Sequence, residues 1–407
     1  MSFGVFLALL LSPLTFGVLT ISMWLYRQDK KETGFKTSII YLTLIGIWLV
    51  FEGYNYVSVK RNGVLNPSYT WSNQMTTASD NGLPYMHRPN MNWNGLSHGD
   101  LAVLNADSDP YARKVQFKTD SQGFRNHREY GQAQIVVVGD LFTEAGNVNE
   151  EDTYCAQLAK LLGLDVKNLA VSGYTTPEEL VVFSQFGLAM QPKTVILQVA
   201  ESNDIAENIK YYDWVKASKP TRNLSKVDLR TKDAWKLASP TFRLYQKLFP
   251  MRLNDWDLQG MFKDGSGHTW LMRFAHPPTK TAVTKNELVG WNVMKGSILR
   301  FNEICQERGI RLVVMLVPDK INVLGKHVTL HSQNLKKIEE LPLELTLGYL
   351  LQQYCADLGV YYINMKPELA QATEQGKLVY LPMDTHLSPE GHEVVATEMA
   401  RFLTSPK

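Results

Sequence analysis

Five short apolar runs, IVVVG, VKNLAVSG, TVILQVA, RLVVMLVP and VYYIN, recur along residues 135–364, and amphipathic stretches separate them. Runs this short, apolar on both sides and spaced by helical stretches, are strands of a parallel sheet with helical crossovers. The spacing predicts helices over 153–162, 177–190, 292–308, 343–358 and 389–403, hence a doubly wound α/β fold. In such a sheet a ligand site lies beyond the carboxyl ends of the strands, where strand order reverses. A side chain that directly follows a strand is therefore the first place to look for chemistry. The pattern breaks at about residues 205–289, a large insertion carrying Tyr211, Tyr212, Trp214, Trp235, Phe242, Tyr245, Phe249, Trp256, Trp270 and Phe274. These rings either form a small core of their own or lie over the active face, a membrane surface or a partner.

The first sixty residues differ in kind. Phe3 to Tyr26 and Thr37 to Val57 each contain a nearly uncharged stretch long enough to cross a bilayer, with Trp24, Tyr26, Trp48, Tyr54 and Tyr56 near the ends, where amphipathic rings prefer the interface. The first stretch lacks the basic start and small-residue cleavage site of a signal peptide, so two transmembrane helices are expected. The link between them carries Arg27, Lys30, Lys31 and Lys36. By the positive-inside bias the link is cytoplasmic and the large domain faces the periplasm or cell exterior. The expected division is a two-helix anchor over 1–60, an irregular wrapping lead-in over 61–128, and an α/β domain over 129–407.

Composition excludes several function classes. The 407 residues carry a formal net charge of only +2, with no basic patch or tail to hold nucleic acid. The three cysteines are far apart and fit neither a zinc site nor a disulfide framework. Gly-rich phosphate loops and helical metal-ligand spacing are absent, so neither cofactor nor metal is expected.

Four segments stand at or near strand ends: Gly139-Asp140-Leu141, Ser172-Gly173-Tyr174, Glu201-Ser202-Asn203-Asp204, and Asp384-Thr385-His386 before the last helix. Together they supply parts of an acyl-transfer site: a histidine base, a carboxylate to orient it, and amide and backbone donors for an oxyanion. Each residue alone also has a structural role: Asp140 as a helix cap, Gly173 in a turn, Asn203 as a loop tie. With the lead-in TDSQGFRN, these segments resemble the blocks of the SGNH (GDSL-like) hydrolase and acyltransferase superfamily over 117–403, the insertion aside. VPDKINVL, with Lys320, resembles a stretch in its membrane-linked polysaccharide O-acetyltransferases. The resemblance implies a flavodoxin-like sheet order, His386 and Asp384 as base and orienting acid, and Gly173 and Asn203 as oxyanion donors.

Leu141 holds the place where the family has its serine nucleophile, and Glu201 holds the place of a usual glycine. A leucine side chain has no lone pair or acidic proton, so His386 has nothing to activate there. Thr143, Ser172, Ser202 or a water activated by His386 remain as substitutes. The expectation is a membrane-anchored pseudoenzyme in which His386 and Asp384 are vestigial. It would serve as a non-catalytic subunit, or as the binding partner of a membrane protein or an envelope glycan or lipid. The alternative is an active O-acyl esterase or O-acetyltransferase acting on an envelope polysaccharide by a variant mechanism.

Overall fold

A computed structural model describes residues 17–18, 20–28, 31–62, 76–77, 83–104, 109–217, 239, 241, 259–275, 287–330 and 346–405. The chain divides into two compact units. The larger one contains a five-stranded sheet of β1 (Ile135–Val138), β2 (Val166–Asn168), β3 (Thr194–Ala200), β4 (Arg311–Val317) and β5 (Tyr361–Asn364). The strands run parallel in the order β5-β4-β3-β1-β2. This is the flavodoxin-like order, with its reversal at β1.

The runs are apolar throughout because both faces are covered. Val136 and Val138 enter one core with Val182 and with Trp291, Ile298 and Phe301 of the helix Leu288–Arg308. Ile135 and Val137 enter the other, against Leu158 of Tyr154–Leu162 and Val395 and Met399 of Pro389–Thr404. Alternate side chains of one strand thus serve opposite layers. The helix after β2 is shorter than its sequence suggests: regular turns cover Thr176–Val182, and a wider turn carries the chain to Met190.

Two stretches differ from expectation. The lead-in is more than irregular wrapping, since Asn92–Ser97 and Arg113–Lys118 pair as an antiparallel ribbon. Val115 and Phe117 alternate with exposed Lys114, Gln116 and Lys118, but Asn92–Ser97 exposes Leu96 and buries Ser97, so the partner strand carries no apolar period. The start of the insertion is helical over Asp204–Lys216. Farther on, Gln259–Lys263 and Thr269–Arg273 form a hairpin whose Phe262 and Met272, with Phe274 beyond it, join the second sheet core. Trp235, Phe242, Tyr245, Phe249 and Trp256 lie outside the described residues.

The smaller unit contains the helix Lys31–Asn62, in which Glu32–Tyr54 is long and apolar enough to cross a membrane. One such helix is found among the described residues, not the expected two. Most of the first apolar stretch lies outside them, although residues 20–27 are helical and Ser38 Oγ donates to Ser22 Oγ at 2.9 Å. Insertion residues Ser239 and Thr241 also belong to this unit. The Ser239 hydroxyl (3.0 Å) and the Thr241 hydroxyl (2.5 Å) both donate to Glu52 Oε1 on the apolar helix.

Candidate functional site

The end of β1 turns sharply into a four-residue helix, Leu141–Glu144. Asp140 caps it, accepting from Phe142 N at 3.0 Å. At its far end Ala145 takes a left-handed φ of 57°, which closes the helix after one turn. Arg125 of the lead-in binds those terminal carbonyls, donating to Glu144 O at 2.9 Å, to Ala145 O, and to Val148 O at 2.6 Å. Beside it Asp120 pairs with buried Lys167, and Asn126 donates to Asp120 Oδ2 and to Asn168 O, both at 2.9 Å. TDSQGFRN therefore fastens the turn that follows β1.

Leu141 begins this helix and is 5% exposed. Thr143 is fully buried and committed elsewhere, bonded to the Tyr154 hydroxyl at 2.6 Å and donating to Gln198 Oε1 at 2.9 Å. Ser172 is buried, with its backbone N–H donating to Glu144 Oε2 at 2.6 Å. Ser202 is partly exposed, and its hydroxyl donates to Asn203 Oδ1 at 3.1 Å. Asn203 in turn donates from Nδ2 to Asp140 Oδ2 at 3.3 Å. Gly173 adopts a φ of +75°, a region that favours glycine. Glu201 receives Asp319 N at 2.9 Å and Asn322 Nδ2 at 2.8 Å, tying the end of β3 to the VPDKIN loop.

His386 packs its ring on Phe142, the residue after Leu141, at 4.6 Å between centroids. Its Nδ1 meets Asp384 Oδ1 at 2.6 Å, and its backbone N–H donates to the same oxygen at 2.8 Å. Burial alone would lower the histidine pKa. The Asp384 charge and hydrogen bond outweigh it, aided by Asp100 and Asp140, and carry His386 up to about 9. Burial would likewise raise Asp384, and the opposing His386 charge holds it below the usual carboxylate range. Among the described residues no hydroxyl is bonded to His386 Nε2. The two nearby carboxylates thus favour the protonated ring over the neutral one.

Lys320 explains how this loop is held. Its ammonium, 1% exposed, donates to the carbonyls of Arg273 and Leu381 at 2.7 Å, Asp384 at 2.8 Å and Pro382 at 2.9 Å. Burial lowers its pKa to about 7, against the pull of Asp384 and Asp100.

Sequence reasoning missed Asp100. It lies on the short helix Asp100–Leu104, between the two ribbon strands in the chain, and accepts Thr385 N at 2.9 Å. Ligand atoms of Asp100, Asp384 and His386 lie within 4.8 Å of one another. Asp384 Oδ1 is spent on His386, Asp384 Oδ2 on Asp100 N, and the Asp100 oxygens on Thr385 and Leu101 N, so the donor set argues for a hydrogen-bonded cluster. A cavity of about 630 Å³ lies elsewhere, lined by Gln116, Lys118, Asn149, Gln157 and Lys160.

Residues 280–406 match the family model for ALGX, described as the SGNH hydrolase-like domain of acetyltransferase AlgX. The matched span includes Lys320, Asp384 and His386, and it excludes Leu141, Gly173 and Asn203. No curated protein matches the sequence. Similar solved structures include a catalytic mutant of an acetylxylan esterase from Geobacillus stearothermophilus. It is 12% identical, with 68% of this chain and 97% of that chain covered and a TM-score of 0.37. A GDSL-like lipase from Bacteroides thetaiotaomicron is 13% identical over 66% of this chain and 86% of its own, with a TM-score of 0.33. The strand order and the family match, rather than these distant likenesses, identify the α/β unit as SGNH-like.

Proposed function

We propose that this SGNH-like protein is a membrane-anchored pseudoenzyme of the bacterial envelope. Its α/β domain, facing the periplasm or cell exterior, acts as a non-catalytic subunit or as the binding partner of a membrane protein, glycan or lipid. The observation that carries the reading is Leu141: an apolar side chain is buried at the nucleophile position. Nearby Thr143 is committed to Tyr154 and Gln198. Losing the nucleophile of a serine hydrolase costs about a millionfold in turnover.

A second reading, an O-acyl esterase or O-acetyltransferase on an envelope polysaccharide, is favoured by the match to an acetyltransferase domain and by the surviving Asp384–His386 pair. One assay separates the two: hydrolysis of p-nitrophenyl acetate by purified full-length protein, alone and as Leu141→Ser and His386→Ala. The pseudoenzyme reading expects background rates from the wild type and His386→Ala. Hydrolysis by the wild type that His386→Ala abolishes would overturn it. Activity appearing only in Leu141→Ser would show that the remaining parts still work once a hydroxyl returns.

A further inference from the structure

We propose that Asp100 is a positioning residue for His386, a second carboxylate that the lead-in ribbon delivers to the imidazole beside Asp384. The inference deepens the pseudoenzyme reading, because a second carboxylate beside Nδ1 favours the protonated ring over the neutral base.

The contact is built from both sides. Asp100 is 1% exposed and its backbone N–H donates to Asp384 Oδ2 at 3.1 Å. Its Oδ1 accepts Thr385 N at 2.9 Å, and its Oδ2 accepts the Thr385 hydroxyl. That Oδ2 lies 3.6 Å from His386 Nδ1. Asp100 therefore grips Asp384 and Thr385, the first two residues of Asp-Thr-His, and acts on the ring of the third by charge.

Gly99 is an independent sign that this docking is designed into the chain. A Cβ there would fall 2.1 Å from Met383 O and 2.4 Å from its carbonyl carbon, so only glycine lets the two loops approach. The Gly99 N–H is also held, donating to Asp109 Oδ2 at 2.7 Å. No side chain other than hydrogen fits between residue 99 and the site loop.

The charge balance around the imidazole favours the cation. Asp384 and Asp100 face Nδ1, and Asp140 acts on the ring from the end of β1. Lys320 lies beneath the loop and Asp109 behind it; His392 on the last helix is held neutral by burial, with a pKa lowered to about 3. Asp100 itself is raised to about 6, first by burial and then by Asp384, so it is mainly ionised at neutral pH. An imidazole with one Nδ1 proton and two carboxylates on that side gives up the proton reluctantly. Its Nε2–H is then a donor, and not an acceptor for the proton of water or a hydroxyl.

The test reads His386 directly. Full-length protein in detergent, labelled with ¹⁵N-histidine, is titrated by NMR, with His386→Gln assigning the signal. Asp100→Asn is expected to lower the midpoint by about one unit, which raises the neutral fraction at pH 7.5 up to tenfold. Asp100→Glu, which keeps the charge, should stay nearer the wild type. A midpoint unmoved in Asp100→Asn overturns the proposal, as does an equal shift in both variants, which would make the effect steric. If Asp100→Asn does not fold, Gly99→Ala, whose Cβ would press on Met383 O and push Asp100 away from the site loop, should lower the midpoint as well; no fall there also overturns the proposal. Because the readout needs no turnover, an active wild-type esterase would defeat the functional reading while leaving this one standing.

Discussion

Lys320 is the residue on which the site loop depends most. Four carbonyls converge on its ammonium, three of them from residues 381–384, and burial leaves them no water to fall back on. Replacing it by methionine strands those acceptors, and orphaned buried acceptors cost about 1–3 kcal/mol each. Lys320→Met should lose ~3 kcal/mol or more in urea unfolding, with loss of the His386–Asp384 NMR signature before global unfolding. The pH dependence has a definite sign. His386 is raised to about 9 in the fold, so its contribution is complete below about pH 6.5 and is lost as pH rises through 9. Lys320 is lowered to about 7, so the unfolded chain holds its proton more tightly and this term rises with pH above 7. The two oppose each other between about pH 7 and 9. Wild-type stability should be nearly flat across that window, and His386→Gln should become more stable with rising pH, by at most ~3 kcal/mol. A His386→Gln profile parallel to the wild type would contradict the opposing pair.

At the scale of elements, the lead-in is the unexpected organiser. It supplies Arg125 to the turn after β1, Asp120 to Lys167 on β2, and Gly99 and Asp100 to the loop before the last helix. Asp120→Ala should leave Lys167 buried without its partner, at a cost of about 3–5 kcal/mol, whereas Glu129→Ala, at an exposed position just after the lead-in, should leave the midpoint near that of the wild type. Comparable midpoints for the two variants in denaturant titration would remove the organising role. The same segment shows what the sequence made legible. The strands were readable because burial on both faces leaves a continuous apolar run, as in Ile135–Val138. The blocks at strand ends were readable because a sheet places its carboxyl ends together. The ribbon was not, since Asn92–Ser97 buries mainly its last residue and shows no apolar alternation. Asp100 was hidden for a different reason: its partner Thr385 is 285 positions away, and a short polar stretch such as SHGDL carries no periodicity that could report it.

At the scale of the whole chain, the insertion and the long apolar helix belong to one argument. The helix Lys31–Asn62 carries a carboxylate, Glu52, toward the end of its apolar stretch, where a buried unpaired acid would cost a few kcal/mol. Instead Ser239 and Thr241 donate to it, and Trp48, one turn earlier, donates from Nε1 to the Thr241 hydroxyl at 2.9 Å. Trp48 and Glu52 are four residues apart and share a helix face, so they form a small polar notch on an otherwise apolar rod. Ser239 and Thr241 of the insertion fill that notch, which ties this part of the insertion to the apolar helix within the smaller unit. Full-length protein in native membranes, carrying Glu52→Cys with Thr241→Cys, should be joined by a short bis-maleimide. Leu42→Cys with Thr241→Cys should not, because ten helical residues separate Leu42 from Glu52 by about 15 Å. The native cysteines Cys155, Cys305 and Cys355 are buried and free, which keeps the background low. Equal linking of both pairs, or of neither, would mean that the insertion does not rest in this notch. A positive result with the first pair alone would fix one point of the insertion against the helix that is long and apolar enough to span a membrane.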